Sequence, residues 1–278
     1  MKFNLLIKNV LSLIPVGYKY EIFYQFARFL GIGGFLVDGR QGLFLGAVSD
    51  RAIMRSYLLH KEWSSEIIQP IRKLLENGGT FVDVGANIGL VSLAVSKNAS
   101  VNVISIEPDD ENFKFLKANI AMHGVDNITA INAAAWHEDA ELSFERNSYN
   151  SGDHHLGAAG EFKVKAFPLD QLALSSGPIA VKIDTQGAEP AVLQGATALL
   201  SRVDLLIIEF WPWGMSRMGL DAAVAIDILS GFSGKAQVID HGNFSDWMTI
   251  DQMRLKLEEF VLHPAEVRSI DICLAKIT

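Results

Sequence analysis

Four carboxylates stand at or next to the ends of short apolar runs. Asp83 lies in residues 80–84, Glu107 follows 101–106, Asp184 follows 179–183, and Glu209 follows 205–208. Valine- and isoleucine-rich runs of this length, alternating with helical periodicity, predict parallel strands buried on both faces. In such sheets ligands collect outside the carboxyl ends of the strands. A carboxylate there can accept hydrogen bonds from hydroxyls, complement a cation, or take up a proton. The spacing assigns these tasks. Gly85 and Gly89 follow Asp83 at the turn into an apolar helix expected over 88–96. Glycine lets such a turn adopt positive φ and brings the backbone close to a ligand, with the helix N–H groups aimed over it. Glu107, 22 residues beyond Gly85, stands where a carboxylate accepts hydrogen bonds from a ribose diol.

The glycine register bears on which nucleotide-like ligand is meant. A dinucleotide turn calls for Gly-x-Gly-x-x-Gly, and a P-loop for Gly-Lys followed by Ser or Thr. Here the pattern is Asp83-x-Gly85-x-x-x-Gly89, which builds no phosphate cradle. It suits S-adenosylmethionine, whose amino group and sulfonium are complemented by an acid near the turn. An NAD-type oxidoreductase is the weaker enzyme alternative. A non-catalytic protein that keeps the cofactor fold is the alternative outside enzymes.

The run Phe81-Val82-Asp83-Val84-Gly85-Ala86-Asn87-Ile88-Gly89, with Ile106-Glu107-Pro108-Asp109 and Asn132-Ala133-Ala134-Ala135-Trp136, resembles the FkbM family of class I S-adenosylmethionine-dependent methyltransferases. Val181-Lys182-Ile183-Asp184-Thr185-Gln186-Gly187-Ala188-Glu189, then Val192-Leu193-Gln194-Gly195-Ala196, is similar to the family's second signature. Leu169-Asp170-Gln171-Leu172 and Leu206-Ile207-Ile208-Glu209 also fit. The resemblance spans residues 35–275. It implies a Rossmann-like α/β fold with a seven-stranded sheet, mostly parallel with an antiparallel last strand and helices on both faces. It also implies O-methylation of a hydroxyl on a sugar, glycolipid or secondary metabolite. By matching position, Asp83, Gly85, Asn87 and Gly89 would border the methionine part of the cofactor and Glu107 the ribose. Asn132 and Ala133 fall at the adenine position, where related enzymes often carry an Asp that this chain lacks.

Methyl transfer asks chiefly that an acceptor oxygen be held in line with the methyl group. A general base helps when the acceptor is an alcohol. Asp184 is the first candidate, with a role in its own turn as the bland alternative. Glu209 is a candidate for binding acceptor hydroxyls, against a solvated edge carboxylate. His155, beside His154 in the polar loop 147–160, could act as a base near neutral pH, or simply face solvent. Trp211-Pro212-Trp213 could wall the site by stacking, or pack in the core. Asp153-His154-His155 does not predict a metal site, since adjacent residues seldom converge on one ion without distant partners.

These groups need a frame. Residues 1–76 are expected to form a helical and hairpin cap, and 77–278 the cofactor-binding domain. Within the cap, Phe35-Leu36-Val37 and Leu43-Phe44-Leu45 flank a turn and predict a hairpin. Asp50 is expected to cap a helix running through Ser56, and Ser64-Ser65-Glu66 to open one that Asn77-Gly78-Gly79 stops. Further on, residues 141–145 and 162–167 predict a second hairpin. Asp109 or Asp110 and Asp221 are expected helix caps, and Thr249-x-x-Gln252 a capping box. The last strand should bury Ile270, Ile272 and Leu274 more than Asp271, Cys273 and Ala275.

Apolar residues make up 49% of the 278, and the net charge is −8. That balance argues against sequence-independent nucleic-acid binding, which needs a basic footprint, and points to a small-molecule or glycan acceptor. The lone Cys273 can form no internal disulfide, which suggests a reducing, cytoplasmic setting. Residues 1–14 are apolar but broken by Lys8 and Asn9 and too short to span a bilayer. An amphipathic helix is expected there, packed on the domain or lying at the inner membrane surface or a subunit contact.

Overall fold

The structure is a computed structural model that describes residues 16–146, 155–156, 160, 162–262 and 268–276. The expected helix at residues 1–14 and most of the polar loop 147–160 lie outside the described residues.

The chain opens with α1 (Val16–Phe29) and a hairpin of β1 (Gly34–Gly39) and β2 (Gly42–Ala47), in which Val37 faces Phe44. The carboxylate of Asp50 accepts hydrogen bonds from the N–H groups of Ala52, Ile53 and Met54. It thereby satisfies donors that the start of α2 (Ile53–His60) would leave free. This helix continues one turn past Ser56 because Tyr57 is fully buried and its hydroxyl donates to the Gly42 carbonyl at 2.7 Å. Lys61, at φ 60°, then closes it. Helix α3 (Ser65–Leu74) follows.

From here strands and helices alternate: β3 (Gly79–Val84), α4 (Leu90–Ser96), β4 (Val101–Ile106), α5 (Asp110–His123) and β5 (Ile128–Ile131). Asp109 caps α5 by accepting from the N–H groups of Glu111 and Asn112, and Gly124 ends it in the left-handed conformation. Next come β6 (Ala134–Ala135), β7 (Ala140–Glu145), β8 (His155–Leu156) and β9 (Phe162–Phe167). β7 and β9 form the expected antiparallel hairpin, with Leu142 opposite Val164. β6 runs parallel to β9 and β8 pairs with β7, so these four make a separate sheet that sequence patterning did not reveal.

β10 (Ile179–Ile183) leads into α6 (Glu189–Gln194) and α7 (Thr197–Arg202); β11 (Leu205–Phe210) leads into α8 (Pro212–Arg217) and α9 (Ala222–Ser230). The chain continues through β12 (Lys235–Asp240), β13 (Asn243–Phe244), α10 (Ile250–Leu262) and β14 (Ile270–Ala275). The capping box at α10 is complete. Thr249 N–H donates to Gln252 Oε1 at 2.9 Å, and Gln252 N–H to Thr249 Oγ1 at 3.2 Å.

The large sheet has the order β13-β12-β14-β11-β10-β3-β4-β5. β11, β10, β3, β4 and β5 run parallel to one another, whereas β14 is antiparallel to both β11 and β12. The seven expected strands are all present, and the two-residue β13 adds an eighth at the edge. Successive residues of β3 serve opposite faces. Val82 and Val84 pack in the cluster that holds Val192, Ile226 and Leu257, while Phe81 packs with Ile67, Ile71 and Val95. Helices therefore cover both faces. The hairpin and α2 seal a third cluster, where Phe44, Met54 and Tyr57 meet Ile88 and Leu93. In β14 Cys273 is as buried as Ile272 and Leu274, since the strand lies inside the sheet with apolar packing on both sides. Among the described residues no helix is long and apolar enough to cross a membrane.

Candidate active site

At the end of β3 the chain turns sharply. Gly85, Asn87 and Gly89 have φ of 77°, 51° and 91°. The N–H groups of Gly85 and Ala86 both donate to the Ile106 carbonyl at 3.0 Å, which ties the turn to the end of β4. A side chain on Gly85 would overlap the carbonyl oxygen of Asp184. Glycine is needed at this position for the close approach as well as for its φ.

Glu107 is the hub of the next turn. Its carboxylate accepts from Asn87 N–H at 2.8 Å and from Asp109 N–H at 3.0 Å, and it is buried. Burial pushes the carboxyl up to about 7, against the backbone hydrogen bonds from Asp109 and Asn87 that favour the ionised form. Over these two turns opens a cleft of about 270 Å³. Gly85, Asn87 and Glu107 line it, together with Asp184, Gln186 and Glu209. Ile106, Pro108, Phe144 and Ala133 to Ala135 make its lining partly apolar, and Ala52, Ile53 and Trp63 complete it. Among the described residues the ionisable side chains lining it are Glu107, Asp184 and Glu209, all acids.

Several residues singled out in the sequence lie elsewhere. Asp83 was expected to border the ligand, but it is fully buried behind the turn, where Ser92 Oγ donates to Oδ2 at 2.6 Å. Its other oxygen faces Lys182 Nζ at 3.4 Å. Strand alternation explains this: Asp83 shares a sheet face with Phe81, the face that α4 covers through Ser92. Gly89 is the N-cap of α4 and does not line the cleft. Asn132 is also outside the lining; its amide donates to the carbonyls of Glu107 and Pro108 at 3.0 and 3.2 Å, bracing that turn, while Ala133 reaches the cleft.

The second signature forms a dense polar knot. Lys182 Nζ, buried in β10, lies 3.3 Å from Asp184 Oδ2, 3.4 Å from Asp83 Oδ1 and 3.3 Å from the Gly85 carbonyl. Burial alone would push this ammonium down, but Asp184 and Asp83 outweigh it and hold Lys182 protonated. Asp83 is raised by burial, opposed by Lys182 and Ser92. Gln186, at φ 57°, donates from Nε2 to Asp184 Oδ1 at 2.8 Å and to Glu209 Oε2 at 2.9 Å. Glu189 accepts from the N–H and hydroxyl of Thr185 at 2.9 Å each and from Gly187 N–H, which fixes the loop between Asp184 and α6. Glu209 is raised well above the ordinary carboxylate range, first by burial and then by the charges of Asp184, Glu189 and Asp271. Asp271, facing Glu209 across the strands, is pushed up to about 7 by burial and by Asp184. Lys182, Gln186 and Glu189 carried no assigned role from sequence. The available signal was Lys182, one cation inside the apolar run Ile179-Ala180-Val181-Lys182-Ile183.

His155 pairs through its backbone with Glu145, and its side chain lies outside the described residues. Trp211 and Trp213 do not line the cleft. Their rings lie 5.3 Å apart, with the Arg217 guanidinium 5.0 Å from each. Among the described residues no three His, Cys, Asp or Glu side chains are placed to hold a metal ion.

The profile of the methyltransferase FkbM domain matches residues 83–260. The hexuronic acid methyltransferase AglP of Haloferax volcanii is 28% identical over 148 residues, which cover 52% of this chain. The match spans 61% of the length of that relative. Solved structures resemble the fold weakly. A precorrin-6y C5,15-methyltransferase from Geobacter metallireducens is 12% identical at a TM-score of 0.41, covering 76% of this chain and 88% of that one. An rRNA methylase from Streptococcus thermophilus is 12% identical at 0.43, covering 75% and 92%. Likenesses of that size say nothing about substrate.

Proposed function

Because the chain belongs to the FkbM methyltransferase family, we propose that it methylates a hydroxyl oxygen of a sugar-bearing acceptor, with S-adenosylmethionine as donor. The observation that carries this is the make-up of the cleft: among the described residues its ionisable lining side chains, Glu107, Asp184 and Glu209, are all acids. With no basic side chain among the described lining residues, the cleft offers the phosphates of a dinucleotide no partner, and Asp184 and the ionised form of Glu107 favour a cationic ligand. The residues fit the donor in other respects. Gly85 and Asn87 leave room over the turn, and Glu107, gripped by two backbone N–H groups, can accept from a ribose diol. The alanine, proline and phenylalanine wall suits an adenine ring. When bound, S-adenosylmethionine supplies a methyl group on a sulfonium and leaves as the thioether.

The chain's own part is to hold the acceptor and take its proton. Asp184 accepts the hydrogen of the acceptor hydroxyl as the oxygen gains the methyl group. Lys182, 3.3 Å away, orients Asp184 and offsets its charge before the transfer. Burial and the neighbouring acids favour the neutral form of Glu209. A neutral carboxyl can donate to one acceptor hydroxyl while Gln186 fixes its other oxygen. Residues 1–76 act as the cap and 77–278 as the domain carrying the cleft, with Ala52, Ile53 and Trp63 supplying the cap's part of the wall. The acceptor class follows the uronic-acid activity named for AglP, a relative covered only in part.

Calorimetric titration with S-adenosylmethionine, then mass spectrometry of saccharides incubated with protein and labelled donor, tests the proposal. Saturable donor binding and a methylated sugar hydroxyl are expected. Absence of donor binding by folded protein rejects the site; donor binding without any methylated product leaves a binding protein only.

A further inference from the structure

Helix α1 is apolar on two sides. One arc is spent on the fold. Tyr20 and Ala27 are buried, and the Tyr20 hydroxyl donates to the Asp50 carbonyl at 2.6 Å. The other arc faces outward. Tyr18, Ile22, Phe26 and Phe29 recur at intervals of four, four and three, so they share one helix face. They are 69%, 53%, 61% and 84% exposed. Leu30 and Ile32 just beyond the helix continue the patch. A surface helix ordinarily carries one apolar stripe, turned to the core. A second, aromatic stripe open to water marks a surface that meets something apolar.

Charge identifies what that is. Residues 1–30 contain Lys2, Lys8, Lys19 and Arg28 against Glu21 alone, a net +3 in a chain of net −8. Glu21, the one acid of the segment, is paired with Arg51 at 2.6 Å. A second copy of the chain would bring two such positive segments together. A bilayer containing anionic lipids would complement them, and aromatic residues favour the boundary between headgroups and acyl chains.

We infer that α1 is a docking face for an anionic lipid bilayer, with Tyr18, Ile22, Phe26 and Phe29 seated at the headgroup boundary. The helix is coupled to the cleft. Tyr20 and Glu21 hold Asp50 and Arg51, and the next two residues, Ala52 and Ile53, line the cleft. The inference stands independently of the methyl-transfer reading, because docking involves neither donor nor acceptor.

Flotation of the full chain with phosphatidylcholine vesicles, with and without phosphatidylglycerol, tests it. Binding to the anionic vesicles is expected, weakened by added salt. The double variant Phe26→Glu/Phe29→Glu should lower the partition coefficient by roughly 100-fold or more. Both side chains are exposed, so its melting temperature should match the parent's. Failure to bind anionic vesicles, or binding the double variant leaves intact, overturns the inference. So does a dimer in sedimentation that this variant dissociates, because a second copy would then cover the face. If the double variant melts early, Ile22→Asn takes its place with the same expected direction.

Discussion

The α-carbon of Gly85 packs directly on the carbonyl oxygen of Asp184, so the turn beneath the proposed donor and the residue proposed to take the proton are in backbone contact. Asp184 N–H reinforces this by donating to the Val84 carbonyl at 3.1 Å. Gly85→Ala should therefore cost about 1–3 kcal/mol through overpacking, and about 1–2 kcal/mol more for a left-handed non-glycine residue. Thermal melts and donor titration read both effects. A variant that melts normally and binds donor fully would contradict the contact.

Glu107→Gln should weaken donor binding by about 1.5–3 kcal/mol, the usual worth of hydrogen bonds to a charged group. Burial pushes the wild-type carboxyl up to about 7, and hydroxyl donors prefer the carboxylate. Donor affinity should thus rise as pH increases through 7, with protons released on binding. The stability effect has the opposite sign. A carboxyl raised by burial makes the free protein less stable as pH climbs from the ordinary carboxylate range to about 7. Calorimetry in buffers of differing ionisation heat measures the protons, and a pH-independent affinity rejects the assignment.

Asp184→Asn should lower kcat by about 10²- to 10⁴-fold, the range for loss of a general base. Donor affinity should stay close to wild type, because Glu107 and the glycine turn are intact. Unchanged turnover would remove Asp184 from the chemistry.

Lys182→Met leaves Asp83 buried without its cation. Removing one partner of a buried pair costs about 3–5 kcal/mol. Asp83 is raised already by burial, and further without Lys182, so the loss should appear above its folded-state pKa and shrink on acidification. Denaturant melts across pH check this. Recovery at neutral pH in Asp83→Asn/Lys182→Met would identify the unpaired carboxylate as the cause.

The strands' positions along the chain and the glycine turn were legible in the sequence because each depends on local pattern, whereas the order of the strands in the sheet came from the structure. Apolar runs mark the strands, and an Asp-x-Gly-x-x-x-Gly spacing fits one kind of bend. Gly85 and Glu107 could be placed side by side from chain distance alone. The direction of a polar side chain was harder to see. Asp83 belongs to the motif yet turns inward, because its partner Lys182 comes from a strand about a hundred residues later. Gln186 and Glu189 had no assigned role in the sequence; Gln186 gains one only when folding brings Glu209 to it, and Glu189 by turning back onto the Thr185 backbone. The small sheet was hidden because β6 and β8 are two residues each, too short to show periodicity.

β14 separates β11 from β12, and apart from β13, β12 has no other strand neighbour. Residues 235–240 therefore have no berth in the large sheet until residues 270–275 arrive, some thirty positions later in synthesis. A ribosome-bound chain that has not yet extruded β14 presents the open edge of β11, Leu205 to Phe210, to its surroundings. Pairing across such separations is slow to close, and an unpaired apolar edge invites association. This part of the sheet is where chaperone dependence and loss of yield on truncation should concentrate.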